Sequence, residues 1–311
     1  MADTAHLLQH VQDAYCFEVP RALWHHRFSS VDSVPGFLRH EHPDWTIGQY
    51  ENYLAGKVLI PQPFATLKSL HAKESGFAIS KFMLLEVVAA ILVCAIFIPL
   101  ARKIQHGGPP RGRFWNMWEA MALYFRDDVA RAAIGKHDGD RFAPFVWTLF
   151  FFLLLCNLLG ILPWSGTPTG ALATTGTLAL LTLLVVIGSG MFKLGFLGFW
   201  RAQVPHMDLP GPLALVLVPS LFVIEVVGLL IKHTVLAVRL LANMFAGHVV
   251  LAVIVGFIAE TAGHAIWYGV APASVLGAVA LSMLELFVAF LQAYIFTFLA
   301  AIFIGMAVHP H

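Results

Sequence analysis

Charge is what this sequence has least of: Asp, Glu, Lys and Arg make up 12% of its 311 residues, against 59% hydrophobic residues and a mean hydropathy of +0.77. That balance excludes a soluble globular domain and points to a polytopic membrane protein. The formal net charge of +1 offers no basic surface for a nucleic acid, so no nucleic-acid partner is expected. Cysteine is scarce too. Cys94 and Cys156 fall in apolar runs and only Cys16 stands in a polar context, so no disulfide framework or zinc spacing can be built, and all three read as packing residues. The first fifteen residues lack the basic-then-apolar pattern of a cleavable leader, and the run at 82–100 is expected to act as an uncleaved first anchor. A Gly-rich phosphate loop ending in Lys-Ser/Thr is also missing. No ATP chemistry, cofactor or metal is therefore expected in this chain.

The basic residues are unevenly spread. They are scattered up to Arg141, reduce afterwards to Lys193, Arg201, Lys232 and Arg239, and are absent from Leu240 onward. The second half is thus expected to lie in lipid or in protein buried in lipid. Residues 1–80 form a polar extension with Trp24, Trp45 and Tyr50 and no sustained apolar period, read as a partly ordered extramembrane tail. Its His25-His26 and His40-Glu41-His42 are poor metal ligands, because adjacent histidines on an irregular segment rarely converge on one ion.

The remainder, 81–311, reads as a membrane domain. The run at 82–100 is long enough to span at about 1.5 Å per residue against a core of about 30 Å. Arg102, Lys103, Arg111 and Arg113 follow it, with Arg126, Arg131, Lys136 and Arg141 further on, so its C-terminal flank is assigned to the cytoplasm and the tail to the outside. Across 114–134, Phe114, Trp118, Met121, Phe125, Val129 and Ala132 recur at helical spacing opposite Asn116, Glu119, Arg126, Asp127, Asp128 and Arg131. That pattern predicts an amphipathic helix lying in the cytoplasmic interface. Residues 142–192 form a transmembrane hairpin, with a Pro- and Gly-rich outer connection at 163–170.

The apolar stretch at 213–258 would be about 69 Å long as one helix, over twice the core thickness. Either it hides a hinge near Lys232 or it crosses at a steep slant. The absence of Gly, Pro or Asn-Gly from Lys232 to Arg239 favours one oblique helix, bent if anything. Residues 272–308, about 54 Å if helical, are similar, which suggests a slanted antiparallel pair. The predicted fold is all-α and polytopic, with five transmembrane helices and one interfacial helix, the last two long and strongly tilted, and the C-terminus cytoplasmic.

Inside these helices a few polar residues need explaining. Arg239 has no ordinary structural reason to stand in an apolar segment. A central arginine costs roughly 2.5–3.5 kcal/mol on insertion scales, and its pKa is too high for it to shed the charge. At 100° per residue, Glu225, Lys232 and Arg239 fall on one stripe, with Asn243 one turn further, whereas His248 points to the opposite side from Arg239. On the last helix Glu285 and Gln292 share a face, with Tyr294 offset. A carboxylate, an imidazole and amides that orient water could together line a proton path. Each has a plainer reading: Gln292 or Asn157 alone could be interhelical glue, and Lys232 reads as snorkelling to the interface. Four costly groups in two adjacent segments, Arg239, Glu225, His248 and Glu285, call for a common cause.

The same residues carry a resemblance. Ala237-Val-Arg-Leu-Leu-Ala-Asn-Met-Phe-Ala-Gly-His248, then Leu284-Glu-Leu-Phe-Val-Ala-Phe-Leu-Gln-Ala-Tyr-Ile-Phe-Thr-Phe298, with Ile224-Glu225 and Asn157-Leu-Leu-Gly-Ile-Leu-Pro163, resemble subunit a of the F-type ATP synthase. The match covers most of 80–308. It implies a non-catalytic stator in a bacterial-type inner membrane, set against a rotating c-ring and peripheral-stalk b subunits, that moves H⁺ through two offset half-channels. It implies that Arg239 faces the c-ring carboxylate and parts the channels, that His248, Glu285, Asn157 and Gln292 belong to the inlet, and that Glu225 belongs to the exit. Val235 and His233 depart from the serine and proline common at those places. The alternatives are a sodium-translocating form of the synthase, or a secondary transporter, for which the sequence shows no internal repeat.

Overall fold

The computed structural model describes residues 13–20, 24–105, 112–162, 165–204 and 211–310. The start of the tail, Arg111 of the basic flank, and Pro163 and Trp164 of the outer connection lie outside the described residues. Two compact units are present: residues 1–91, 156–171 and 245–286 form the first, and 92–155, 172–244 and 287–311 the second.

In the first unit the N-terminal extension folds. Its elements are β1 (Cys16–Glu18), a 3₁₀ turn (Val31–Ser33), α1 (Gly36–Glu41), α2 (Ile47–Leu54), β2 (Lys57–Leu59), β3 (Ala65–Leu67) and β4 (Lys73–Gly76). β1 pairs with β2 and β3 with β4, both antiparallel. Gln49 accepts the Thr46 N–H at 2.7 Å and thereby satisfies a donor at the start of α2. Val34, Leu38, Tyr50 and Leu54 form one small core and Ala14, Cys16 and Leu70 another. Burial pushes the Cys16 thiol up, away from reactivity. Two of the histidines make packing contacts: His42 stacks on Trp45 at 3.7 Å, and His26 Nε2 meets the Lys57 carbonyl at 2.8 Å. Elements of three to eight residues are too short to show a period, which is why the sequence read this region only as a polar tail.

The extension is tied to α3 (Lys81–Gln105), whose first N–H groups donate to Ala14 O at 2.9 Å and Asp13 Oδ1 at 3.3 Å. Cys94, expected to be a packing residue, is exposed instead. The reason is that α3 leaves most of its apolar surface uncovered by the chain, with only 17% of its span buried.

The second unit contains α4 (Arg113–Tyr124), a π-helical turn (Phe125–Ala130) and α5 (Arg131–Ile134), packed on α6 (Lys136–Ile161). Phe125 lies 3.9 Å from Phe150 between ring centroids, Trp118 5.4 Å from Phe151, and Trp147 Nε1 donates to Ala122 O at 2.7 Å. The π turn adds a residue to the local period. Ala132, placed on the apolar face by an uninterrupted α-helix, is therefore exposed, and Val129, Ala130 and Ile134 are buried. Arg131 bridges Asp127 and Asp140, each at 2.7 Å. The Arg126 hydrogen bond, with both arginine charges, holds the Asp127 carboxyl below its usual range.

After α7 (Leu172–Leu194) and α8 (Phe196–Ala202) come α9 (Gly211–Glu260) and α10 (Trp267–Val308). α9 is one helix of 50 residues, with no break at Lys232. It is about 75 Å long and runs on through Pro219, Gly228 and Gly247 without a break. Gly263, at φ 89°, turns the chain into α10. Pro272, read as a helix start, lies inside α10. Among the described residues, five helices are long and apolar enough to cross a membrane.

Close backbone approaches hold the second unit together. A Cβ at Gly305 would run into the Ala133 carbonyl oxygen and sit 3.0 Å from its carbon; one at Gly190 would meet the Phe199 ring and Ala307 O. Gly305→Ala should therefore destabilise the protein by about 1–3 kcal/mol. Thermal unfolding of the detergent-solubilised complex checks this, and an unchanged midpoint would show that the approach is not needed.

Candidate functional site

In the first unit, the absence of a side chain at Gly247 shapes the site. A Cβ there would collide with Glu285 Oε1 and lie 3.1 Å from its Cδ, so the carboxylate rests directly on the α9 backbone. Glu285 is 8% exposed, and its Oε1 has no hydrogen-bond partner among the described residues. The next residue, His248, is half-buried and hydrogen-bonds through Nε2 to Thr167 Oγ1. Thr167 Oγ1 also reaches the Gly160 carbonyl at 3.3 Å. Asn157 is fully buried, and its Oδ1 accepts from Thr169 Oγ1 at 2.8 Å. Thr167 precedes and Thr169 lies within a 3₁₀ turn at Pro168–Gly170 that aims them at α9 and at the end of α6. Buried Lys81 is an electrostatic neighbour of His248. Its Nζ would lie 3.2 Å from a Cβ at Gly166. The structure thus gathers Asn157, His248 and Glu285 with two hydroxyls and an ammonium group.

The other expected residues belong to the second unit. Arg239 is half-buried on α9 and makes no hydrogen bond or ion pair with any described residue. Leu236, Ala237, Leu240 and Met244 are buried, while Val235 and Val238 are each 48% exposed, so Arg239 stands at the border of an apolar outward face. Asn243 is half-buried one turn further on. Gln292 is 7% exposed on α10, in the buried stripe that includes Ala289, Ala293 and Phe296. Glu225 is exposed and opens, with Leu229, Lys232, Gln203, Phe303 and His309, on a cavity of about 690 Å³. His309 in turn lies 3.2 Å from Asp138, which also pairs with Lys193.

A model of the family described as ATP synthase A chain matches residues 83–305, nearly the whole helical part of the chain. The chain belongs to that family. Among its relatives, the ATP synthase subunit a of Myxococcus xanthus is 40% identical over 237 residues, 75% of each chain. That of Chloroherpeton thalassium is 40% identical over 255 residues, covering 79% of this chain and 72% of the relative. That of Hyphomonas neptunium is 39% identical over 231 residues, covering 74% and 86%. With its five apolar helices, this member of the subunit a family is a multi-pass membrane protein.

Three residues of the first-unit cluster escaped the sequence reading: Thr167, Thr169 and Gly247. A signal existed for the threonines, since Thr-Pro-Thr is an odd choice for a connection that needs only a turn, but a hydroxyl reads as ordinary loop polarity until its partner is known. Removing the hydroxyl with Thr167→Val should slow gradient-driven ATP synthesis in membrane vesicles about fivefold, as expected for the loss of one hydrogen bond of about 1 kcal/mol. Thr167→Ser should stay near the wild-type rate. Equal rates for the two variants would mean that the hydroxyl does not matter.

Proposed function

We propose that this chain is the ion-translocating stator subunit of an F-type ATP synthase, carrying H⁺ through two half-channels to a rotating ring of c subunits. One observation carries the reading: Arg239 is a permanent cation on an apolar helix with no counter-charge from the described residues of its own chain. Only 6% of the α9 span is buried, against 50% for α6, so its outward face is free to meet another protein. A charge of that kind needs an anion at short range. A carboxylate on the facing c-ring supplies it.

A proton enters from outside through water near Asn157, His248, Glu285 and Gln292. The Thr167 and Thr169 hydroxyls orient the imidazole and the amide of that path. The proton neutralises a ring carboxylate, which can then turn into lipid. After nearly a full rotation the carboxylate reaches the second channel and releases its proton past Glu225 to the cytoplasm. Arg239 favours the ionised carboxylate at the crossing, and its charge opposes leakage between the channels. Asn243, one turn away, shares that face of the helix. The membrane potential alone supplies about 2.3 kcal/mol per charge per 100 mV. ATP chemistry belongs to other subunits, and peripheral-stalk b subunits hold this one still. The N-terminal extension lies outside a bacterial-type inner membrane, the C-terminus lies inside, and α9 and α10 lean strongly along the ring.

Arg239→Ala in the assembled complex should abolish ATP-driven acidification of inverted vesicles. Arg239→Lys should also fail, because an ammonium can deprotonate when buried and lacks the planar fork. Undiminished pumping by Arg239→Ala would make the arginine structural and overturn the reading.

A further inference from the structure

His233 is a buried titratable group that this scheme leaves unused. It is 2% exposed, and α9 sets its ring 5.1 Å from that of Phe303, tilted by 46°. Nδ1 lies 2.9 Å from the Leu229 carbonyl, one helical turn back. A carbonyl only accepts, so Nδ1 carries the proton and Nε2 presents a lone pair. No described residue donates to that Nε2, and a buried acceptor left without a donor needs a reason.

The surroundings supply one. Leu229 and Phe303, which His233 meets through its Nδ1 and its ring, both line the cavity of about 690 Å³ on which Glu225 opens. The imidazole therefore stands behind the wall of a space, lined largely by apolar residues, onto which Glu225, Lys232 and His309 also open. The charged and titratable groups facing that space are Glu225 and Lys232 from α9 and His309 from the end of α10, the last backed by Asp138 of α6 with Lys193 of α7. Lys232 is the charge whose field reaches His233.

Building on the proposed exit side, we infer that His233 is a second proton-exchanging group there, set between the ring carboxylate and the Glu225 cavity. Nε2 takes the proton as the carboxylate ionises, giving an imidazolium that keeps its Nδ1–H bond to Leu229. The same Nε2–H then gives the proton to cavity water and on to Glu225, and the neutral imidazole is restored. Only a proton moves, and no other reactant is needed. A purely structural histidine would use its ring and its Nδ1–H bond and have no need of Nε2.

The test uses the complete purified complex in liposomes, with assembly checked by subunit ratio. His233→Phe keeps a ring against Phe303 and removes both nitrogens, and His233→Gln keeps a polar group but cannot exchange protons, serving if the first variant fails to assemble. Either should pump on the order of tenfold more slowly, less than the hundredfold or more expected of a sole acid–base group, because Glu225 remains. The dependence of pumping on pH at the cytoplasmic face should change shape, because one proton-exchanging group has been removed. Wild-type rates, or slower pumping with an unchanged pH profile, would overturn the inference. Arg239→Ala run in parallel separates the failures: if it is inactive while the His233 variants behave as wild type, only the role of His233 falls, and if it too pumps normally, the functional reading falls with it.

Discussion

A fixed positive charge in an apolar helix is the constraint around which this molecule is arranged. Arg239 cannot discharge, and the described part of its own chain gives it no anion. A helix holding such a group is incomplete alone, and the bareness of α9 says the same in terms of surface. The need for an outside carboxylate and the need for an outside packing partner coincide on one helix, so one neighbouring subunit would answer both.

Where the chain packs on itself, it does so by bringing backbone close to backbone or to a functional side chain. Gly190 and Gly305 admit Phe199 and Ala133 in the second unit. Gly160 and Gly247 admit Thr167 and Glu285 in the first. Lipid supplies little hydrophobic drive between helices, so small residues that allow dense contact take its place. At Gly247 the device serves placement as well as packing, because it seats an acid of α10 beside the residue that precedes His248 on α9.

The long helices were legible because their signal is local: an apolar run without turn chemistry around its possible hinge at 232–239 stays helical, and α9 does. The polar groups that stand out against that background, Arg239, Glu225, His248 and Glu285, stood out for the same reason. The π turn at Phe125–Ala130 and the folded extension before α3 were not legible. A single added residue in a helix leaves no compositional mark, and an extension whose cores draw on residues as far apart as Ala14 and Leu70 shows no period along the chain.

By itself the sequence determined the class of the molecule, the number of apolar helices and the presence of costly charges among them, since each depends on composition and spacing along one chain. Only the tertiary structure decided that Thr167 and Thr169 hydrogen-bond His248 and Asn157, that Glu285 rests on Gly247, that His233 faces inward toward Phe303 and that Arg239 finds no partner among the described residues. Those are relations between segments up to 81 positions apart, as from Thr167 to His248. They are set by which helix faces which, a choice that a nearly uniform apolar surface leaves to small residues and a few polar contacts.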